Sequence, residues 1–198
     1  MNFLQQKKFY LIFIFLILIG YISFKSISSQ SVKIPEEFLN GRLQSAIISE
    51  EIINLSNQIK DGVFQINQLD EQKKYKEAFN LISELNTKIL EIRKKAVDLS
   101  KELEIMTKSL NDLKVKGGAE KLAVSSITNR IIIINHLINY SDYLFQLNLE
   151  LENRFYGKSN KDEILNLINK INSEVEAINK ANEKAKIDME KFDTALMK

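Results

Sequence analysis

Between residues 75 and 113, apolar side chains recur at alternating steps of three and four residues. This heptad spacing places them on one face of an α-helix, and a single helix over this stretch would be roughly 58 Å long. A helix of that length must bury its apolar face against other helices. The members of the pattern are Tyr75, Ala78, Ile82, Leu85, Ile89, Ile92, Ala96, Leu99, Leu103, Met106, Leu110 and Leu113.

The same period continues on both sides of this stretch, with few residues that break it. Pro35 suits the first turn of a helix, and the run Lys116–Gly117–Gly118 interrupts the pattern. Gly157 provides a stop, and Ser159 or Asn160 provides a new cap. We therefore expect an all-α body, an antiparallel bundle of about four long, coiled-coil-like helices, within residues 35–198. An intermolecular coiled coil is the alternative. The predicted helices are 35–69, 72–114, 119–156 and 160–197.

The third predicted helix carries two apolar stripes instead of one. One runs through Val124, Ile127, Ile131, Ile134, Ile138 and Phe145, and the other through Ile133, Leu137, Tyr140, Leu144, Leu147 and Leu151. Apolar residues on more than one face are typical of a helix with neighbours on several sides. We expect this helix to be the most enclosed of the four.

Residues 9–24 form an uncharged apolar run flanked by Lys7, Lys8 and Lys25. At roughly 24 Å it is short for the hydrocarbon core of a bilayer, but lysine side chains at both ends can extend to the headgroups. An uncleaved transmembrane anchor fits this pattern best. A cleaved signal peptide and a buried core helix are the alternatives.

The charges around this run predict an orientation. The N-terminal amine with Lys7 and Lys8 slightly outweighs Lys25 and Lys33, so residues 1–8 are expected in the cytoplasm and the body outside. Residues 25–34 are polar and Ser-rich, which is typical of a flexible tether. This layout predicts a single-pass protein, interpreted as one of a bacterial cell envelope.

Composition excludes several kinds of chemistry. The chain has no Cys and one His, so it has no disulfide, no thiol nucleophile and no cluster of two histidines for a metal. It has no phosphate-binding loop or dinucleotide turn either. We expect no enzymatic activity, metal or cofactor. Residues 1–34 carry a charge of +4 and the remainder −2, which also argues against nucleic acid as a partner.

Four polar residues are candidates for a special role. Helical spacing brings His136 near Tyr140 and Tyr143, where it would act as a proton donor or pH sensor, or simply pack against aromatic rings. Asn182 interrupts the apolar pattern of the last helix. There it would fix the register of packing, unless that end of the helix protrudes into solvent.

Three small residues, Gly41, Ser45 and Gly62, fall on the apolar face of the first helix. They would let a neighbouring helix approach closely or leave a pocket for an apolar ligand.

From these features we expect a membrane-anchored structural or scaffolding protein. It would bind the lipid bilayer through residues 9–24 and a protein partner, or a second copy, through its helix faces. The alternative is an extracytoplasmic ligand-binding or sensor-like bundle that works through a partner protein.

Overall fold

The computed structural model describes residues 34–112, 118–158 and 160–196 and contains four long helices. Their bounds are α1 Glu36–Glu71, α2 Tyr75–Ser109, α3 Ala119–Phe155 and α4 Lys161–Leu196, and a short 3₁₀ turn, Leu110–Asp112, follows α2. No strand occurs within the described ranges. The prediction of an all-helical body with four helices is confirmed.

Contacts between side chains show that successive helices run in opposite directions. Lys95 of α2 pairs with Glu51 of α1, and Asn148 of α3 donates to Asn86 of α2. Ser126 of α3 donates to the carbonyl of Ala185 in α4. In each pair an early part of one helix meets a late part of the next, as in an up-down-up-down bundle.

The ring of four helices closes between α1 and α4. Phe38 and Phe192 pack there with their ring centroids 5.5 Å apart, and both side chains are fully buried. Beside them, Arg42 donates two hydrogen bonds to Asp193 at 2.8 and 2.7 Å. The α1 and α4 backbones nevertheless come less close together than those of consecutive helices. Long side chains therefore bridge this seam.

The turns at the ends of α1 and α3 share one geometry. After α3, the amides of Gly157 and Lys158 donate to the carbonyls of Arg154 and Asn153, and Gly157 has a positive φ of 69°. This is the Schellman motif, in which glycine adopts the left-handed conformation without a steric penalty. After α1 the same position is held by Lys73, with a φ of 57°.

Among the described residues α3 has more buried side chains than any other helix, as expected, although part of its first stripe is exposed. Leu137, Tyr140 and the later members of the second stripe lie in the core. In the first stripe, however, Val124, Ile131 and Ile138 are exposed. Within the described residues no further helix covers these three side chains.

Several predictions fall on residues that the structure does not describe. The predicted anchor 9–24 with its lysines Lys7, Lys8 and Lys25 lies outside the described residues, as do residues 113–117. Ile34, at the end of the predicted tether, packs against the core. None of the helices in the described part of the chain is long and apolar enough to span a bilayer.

Candidate functional site

A cavity of about 50 Å³ lies inside the bundle, midway along the helices. All four helices contribute to its wall, which is mostly aliphatic. The lining residues are Ser49, Ile52, Ile53 and Ser56 of α1, Leu99 of α2, Arg130, Ile133, Leu137 and Tyr140 of α3, and Val175, Ile178 and Asn182 of α4. At roughly 10–15 Å³ for each water, the space holds a few solvent molecules or a small ligand.

The wide seam between α1 and α4 borders this cavity. Ser49 and Ile53 on α1 and Asn182 on α4 remain partly exposed, whereas Leu99 and Leu137 on the opposite wall are buried. The cavity is therefore reached from solvent between α1 and α4.

Arg130 is the one charged residue in the cavity wall. Its Nε is buried without a hydrogen-bond acceptor, although other parts of the side chain border the cavity and keep partial exposure. Burial, and to a smaller extent the positive charge of Arg42, lower the pKa of Arg130 to about 10. The group still carries its charge at neutral pH, in surroundings that disfavour it.

The other three arginines of the chain each have an aspartate partner. Arg42 pairs with Asp193 on α4, Arg93 with Asp142 on α3, and Arg154 with Asp70 on α1. Among the described residues no carboxylate forms an ion pair with Arg130. An unpaired charge inside a bundle is costly, so this difference marks Arg130 as the unusual residue of the site.

Tyr140 adds a hydroxyl to the same cavity. The side chain is 3% exposed, and burial raises the pKa of Tyr140 to about 12, with a hydrogen bond to Ser56 partly opposing that rise. The phenol therefore stays protonated and able to donate a hydrogen bond at neutral pH. Together with Arg130, it gives the aliphatic cavity two strong donors.

Asn182, the predicted register-setting residue, lies on the cavity wall and is partly exposed. Its neighbours across the cavity belong to several helices, so the side chain is not isolated at a protruding helix end. The role in setting the register stays a prediction.

The predicted cluster of His136, Tyr140 and Tyr143 divides into three separate environments. His136 Nδ1 lies 2.6 Å from a carboxylate oxygen of Glu174 on α4. Tyr143 packs under Lys170, whose ammonium nitrogen is 5.4 Å from the ring centroid. Tyr140 lines the cavity instead. A role for His136 as a proton donor or pH sensor stays a prediction.

Small residues on α1 mark a close helix contact. A Cβ atom placed on Gly41 would lie 2.8 Å from Cγ of Met106, and one on Gly62 would lie 2.5 Å from a methyl carbon of Leu85. Ser45 is fully buried in the same interface. Here the structure favours close packing with α2, and the cavity lies on a different side of α1.

Metal binding has little support in the part of the chain that the structure describes. Within those residues no group of three or more His, Asp or Glu side chains is arranged to hold an ion. The donors of the cavity, an arginine and a phenol, suit an anion and not a cation.

The sequence could have identified Arg130 as a candidate site residue, although a list of the apolar positions alone does not include it. Arg130 lies three residues after Ile127 and seven before Leu137, both of which are buried. It therefore occupies a position at which the heptad pattern expects an apolar residue. A charged residue at such a position is a candidate for a paired or ligand-bound group.

Comparisons with known proteins add no assignment. No protein-family model matches the chain, and no curated protein or solved structure is significantly similar to it.

Proposed function

We propose that this protein is a non-catalytic, membrane-anchored helical bundle that binds a helix of a protein partner. Residues 9–24 would hold it in the bilayer, with residues 1–8 in the cytoplasm and the body outside, in a bacterial cell envelope. The uncharged run and its flanking lysines support the anchor. A single observation on the bundle surface supports the interaction.

That observation is a row of exposed aliphatic side chains along α2 and α3, which we call the aliphatic ridge. Its members are Leu90 and Val97 on α2 and Val124, Ile131 and Ile138 on α3, each between 39% and 55% exposed. They recur every seven residues on each helix. This is the spacing at which one helix presents a continuous stripe to another.

Contacts between α2 and α3 support placing both rows on one side of the bundle. Arg93, between Leu90 and Val97 in the sequence, pairs with Asp142 and lies over the ring of Phe145. Ile138 is one helical turn before Asp142. The two rows therefore flank the same interhelical groove, which fits the apolar face of a third helix.

Site-specific photocrosslinking of the full-length protein in intact membranes tests this proposal. A photoreactive residue at Val97 or Ile131 should give one adduct of defined mass. The same residue at Ile187, which is 39% exposed on α4 away from the ridge, should give none. An adduct of twice the chain mass of 22.9 kDa would identify a second copy as the occupant.

Charge substitution provides the specificity control. Ile131→Glu should abolish the adduct formed at Val97 while the circular dichroism spectrum keeps its helical content, because the side chain is already exposed. Equal adducts at Val97, Ile131 and Ile187, or an adduct that survives Ile131→Glu, would contradict the proposal.

The anchor is tested separately. Full-length protein should remain with the membrane fraction in high salt and be released only by detergent. Release by salt alone, or accumulation of a shortened soluble form, would show that residues 9–24 do not anchor the chain.

Ligand binding is the second candidate function, and the cavity around Arg130 supports it. Such a bundle would work through a partner protein, and the chemical class of its ligand is inferred in the next subsection.

A further inference from the structure

The charge of Arg130 has no anionic partner among the described residues. The charged group that acts on its pKa is Arg42, which has the same sign and is already bound to Asp193. A buried cation is stabilised when an opposite charge and hydrogen-bond acceptors reach it. The opening between α1 and α4 gives an anion from solvent a route to the guanidinium.

The remaining wall of the cavity identifies the kind of anion. Ile52, Leu99, Leu137, Val175 and Ile178 offer only hydrocarbon to a ligand. The planar guanidinium of Arg130 presents paired donors that match the two oxygens of a carboxylate in shape and charge. A phosphate carries more charge and more acceptor oxygens than one guanidinium among aliphatic side chains can satisfy.

We infer that the cavity binds a short aliphatic monocarboxylate, with its carboxylate on Arg130 and its hydrocarbon chain among the aliphatic lining. The volume of about 50 Å³ limits the buried part of the ligand to a few carbon atoms, with the carboxylate at the partly exposed Arg130. This site is independent of the aliphatic ridge, which lies on the α2 and α3 side of the bundle. Either proposal can fail without the other.

Thermal unfolding of the full-length protein, in a nonionic detergent and a buffer free of carboxylates, tests the inference. Sodium butyrate is the probe, and sodium chloride and sodium phosphate at equal ionic strength are the comparisons. Butyrate at about ten times its Kd should raise Tm by roughly 3–6 °C. Chloride and phosphate should give less than a third of that shift.

Substitution of Arg130 then assigns the effect to the cavity. Arg130→Met keeps the length of the side chain and removes its charge, so it should abolish the butyrate shift. It should also raise Tm without ligand, because the unpaired charge is gone. Arg93→Met removes an arginine that has an aspartate partner outside the cavity, and this control should keep the full butyrate shift.

A second variant tests the volume without touching the charge. Val175→Phe fills part of the cavity and should reduce the butyrate shift at least threefold while Arg130 remains. The inference is overturned if butyrate causes no shift, if phosphate or chloride matches it, or if the full shift persists in either Arg130→Met or Val175→Phe. None of these outcomes depends on crosslinking at the aliphatic ridge.

Discussion

Helix α1 contacts its two neighbours in opposite ways. Towards α2 it presents Gly41 and Gly62, and added Cβ atoms there would overlap Met106 and Leu85. Towards α4 its backbone stays further away, and Arg42 reaches across to Asp193. The first interface is closed by short side chains and the second is bridged by long ones.

This difference explains why the cavity is where it is. Small residues let helix backbones approach until side chains interdigitate, which leaves little unfilled volume. Where the backbones remain apart, space is left between the bridging side chains. Arg130 projects into that space from α3, and it is the arginine without an aspartate partner. The open side of α1 is thus where the proposed ligand would contribute stability, and the closed side is where added atoms are expected to destabilise.

The largest effect expected on the open side is an alkaline loss of stability due to Tyr140. Burial raises the pKa of Tyr140 to about 12 from its ordinary value of 10. Between those values the unfolded chain loses the proton while the folded chain keeps it, so rising pH favours unfolding. By pH 12 the free energy of unfolding should fall by about 2–3 kcal/mol on account of Tyr140, since one pKa unit corresponds to about 1.4 kcal/mol.

Chemical unfolding of the protein and of Tyr140→Phe between pH 8 and pH 12 measures this loss. The difference in unfolding free energy between them should be constant up to about pH 9 and then change in favour of the variant. The lowered pKa of Arg130 makes the protein more stable as pH rises, which is the opposite effect. Because Arg130 is present in both proteins, this effect cancels from the difference between them. If the unfolding free energies of the two proteins change with pH in parallel over the whole range, Tyr140 is not buried in the folded state.

The helical pattern predicted most of this architecture, because a heptad repeat depends on local spacing alone. Spacing does not show how many neighbours a helix has, so it could not show that Val124 and Ile131 are exposed while Ile127 and Ile134 of the same stripe are buried. It could not decide between close packing and a pocket at Gly41 either. That depends on the distance to Met106 on another helix.

The site itself was less predictable than the fold. Asn182 stands out in the sequence because it interrupts an apolar pattern, and it does line the cavity. Arg130 interrupts its own helix pattern in the same way. Its importance comes from the fact that no carboxylate of the described residues forms an ion pair with it, whereas Arg42 and Arg93 each meet an aspartate on another helix. Sequence spacing within one helix does not contain that information.

Adding one leucine to each side of α1 sharpens the comparison between its two interfaces. Gly41→Leu should destabilise the protein by about 1–2 kcal/mol, because overpacking costs about 1–3 kcal/mol and the better helix propensity of leucine offsets part of it. Ser49→Leu, which extends into the cavity, should be neutral or stabilising by up to about 1 kcal/mol. Denaturant midpoints measure both, and equal destabilisation by the two leucines would remove the distinction between the interfaces.

The smallest effect concerns the turn that joins α1 to α2 on the closed side. Lys73 adopts a φ of 57°, and the amides of Lys73 and Lys74 donate to the carbonyls of Asp70 and Leu69. This left-handed position usually holds glycine, because a Cβ atom there is strained. Lys73→Gly should therefore stabilise the bundle by about 0.5–1 kcal/mol in denaturant unfolding.

Lys74→Gly is the control, because Lys74 is next to Lys73 but has a φ of −88°. It should not stabilise the bundle, since glycine gains nothing where φ is negative and adds freedom to the unfolded chain. A gain from Lys74→Gly as large as that from Lys73→Gly would show that the turn conformation of Lys73 is not the cause.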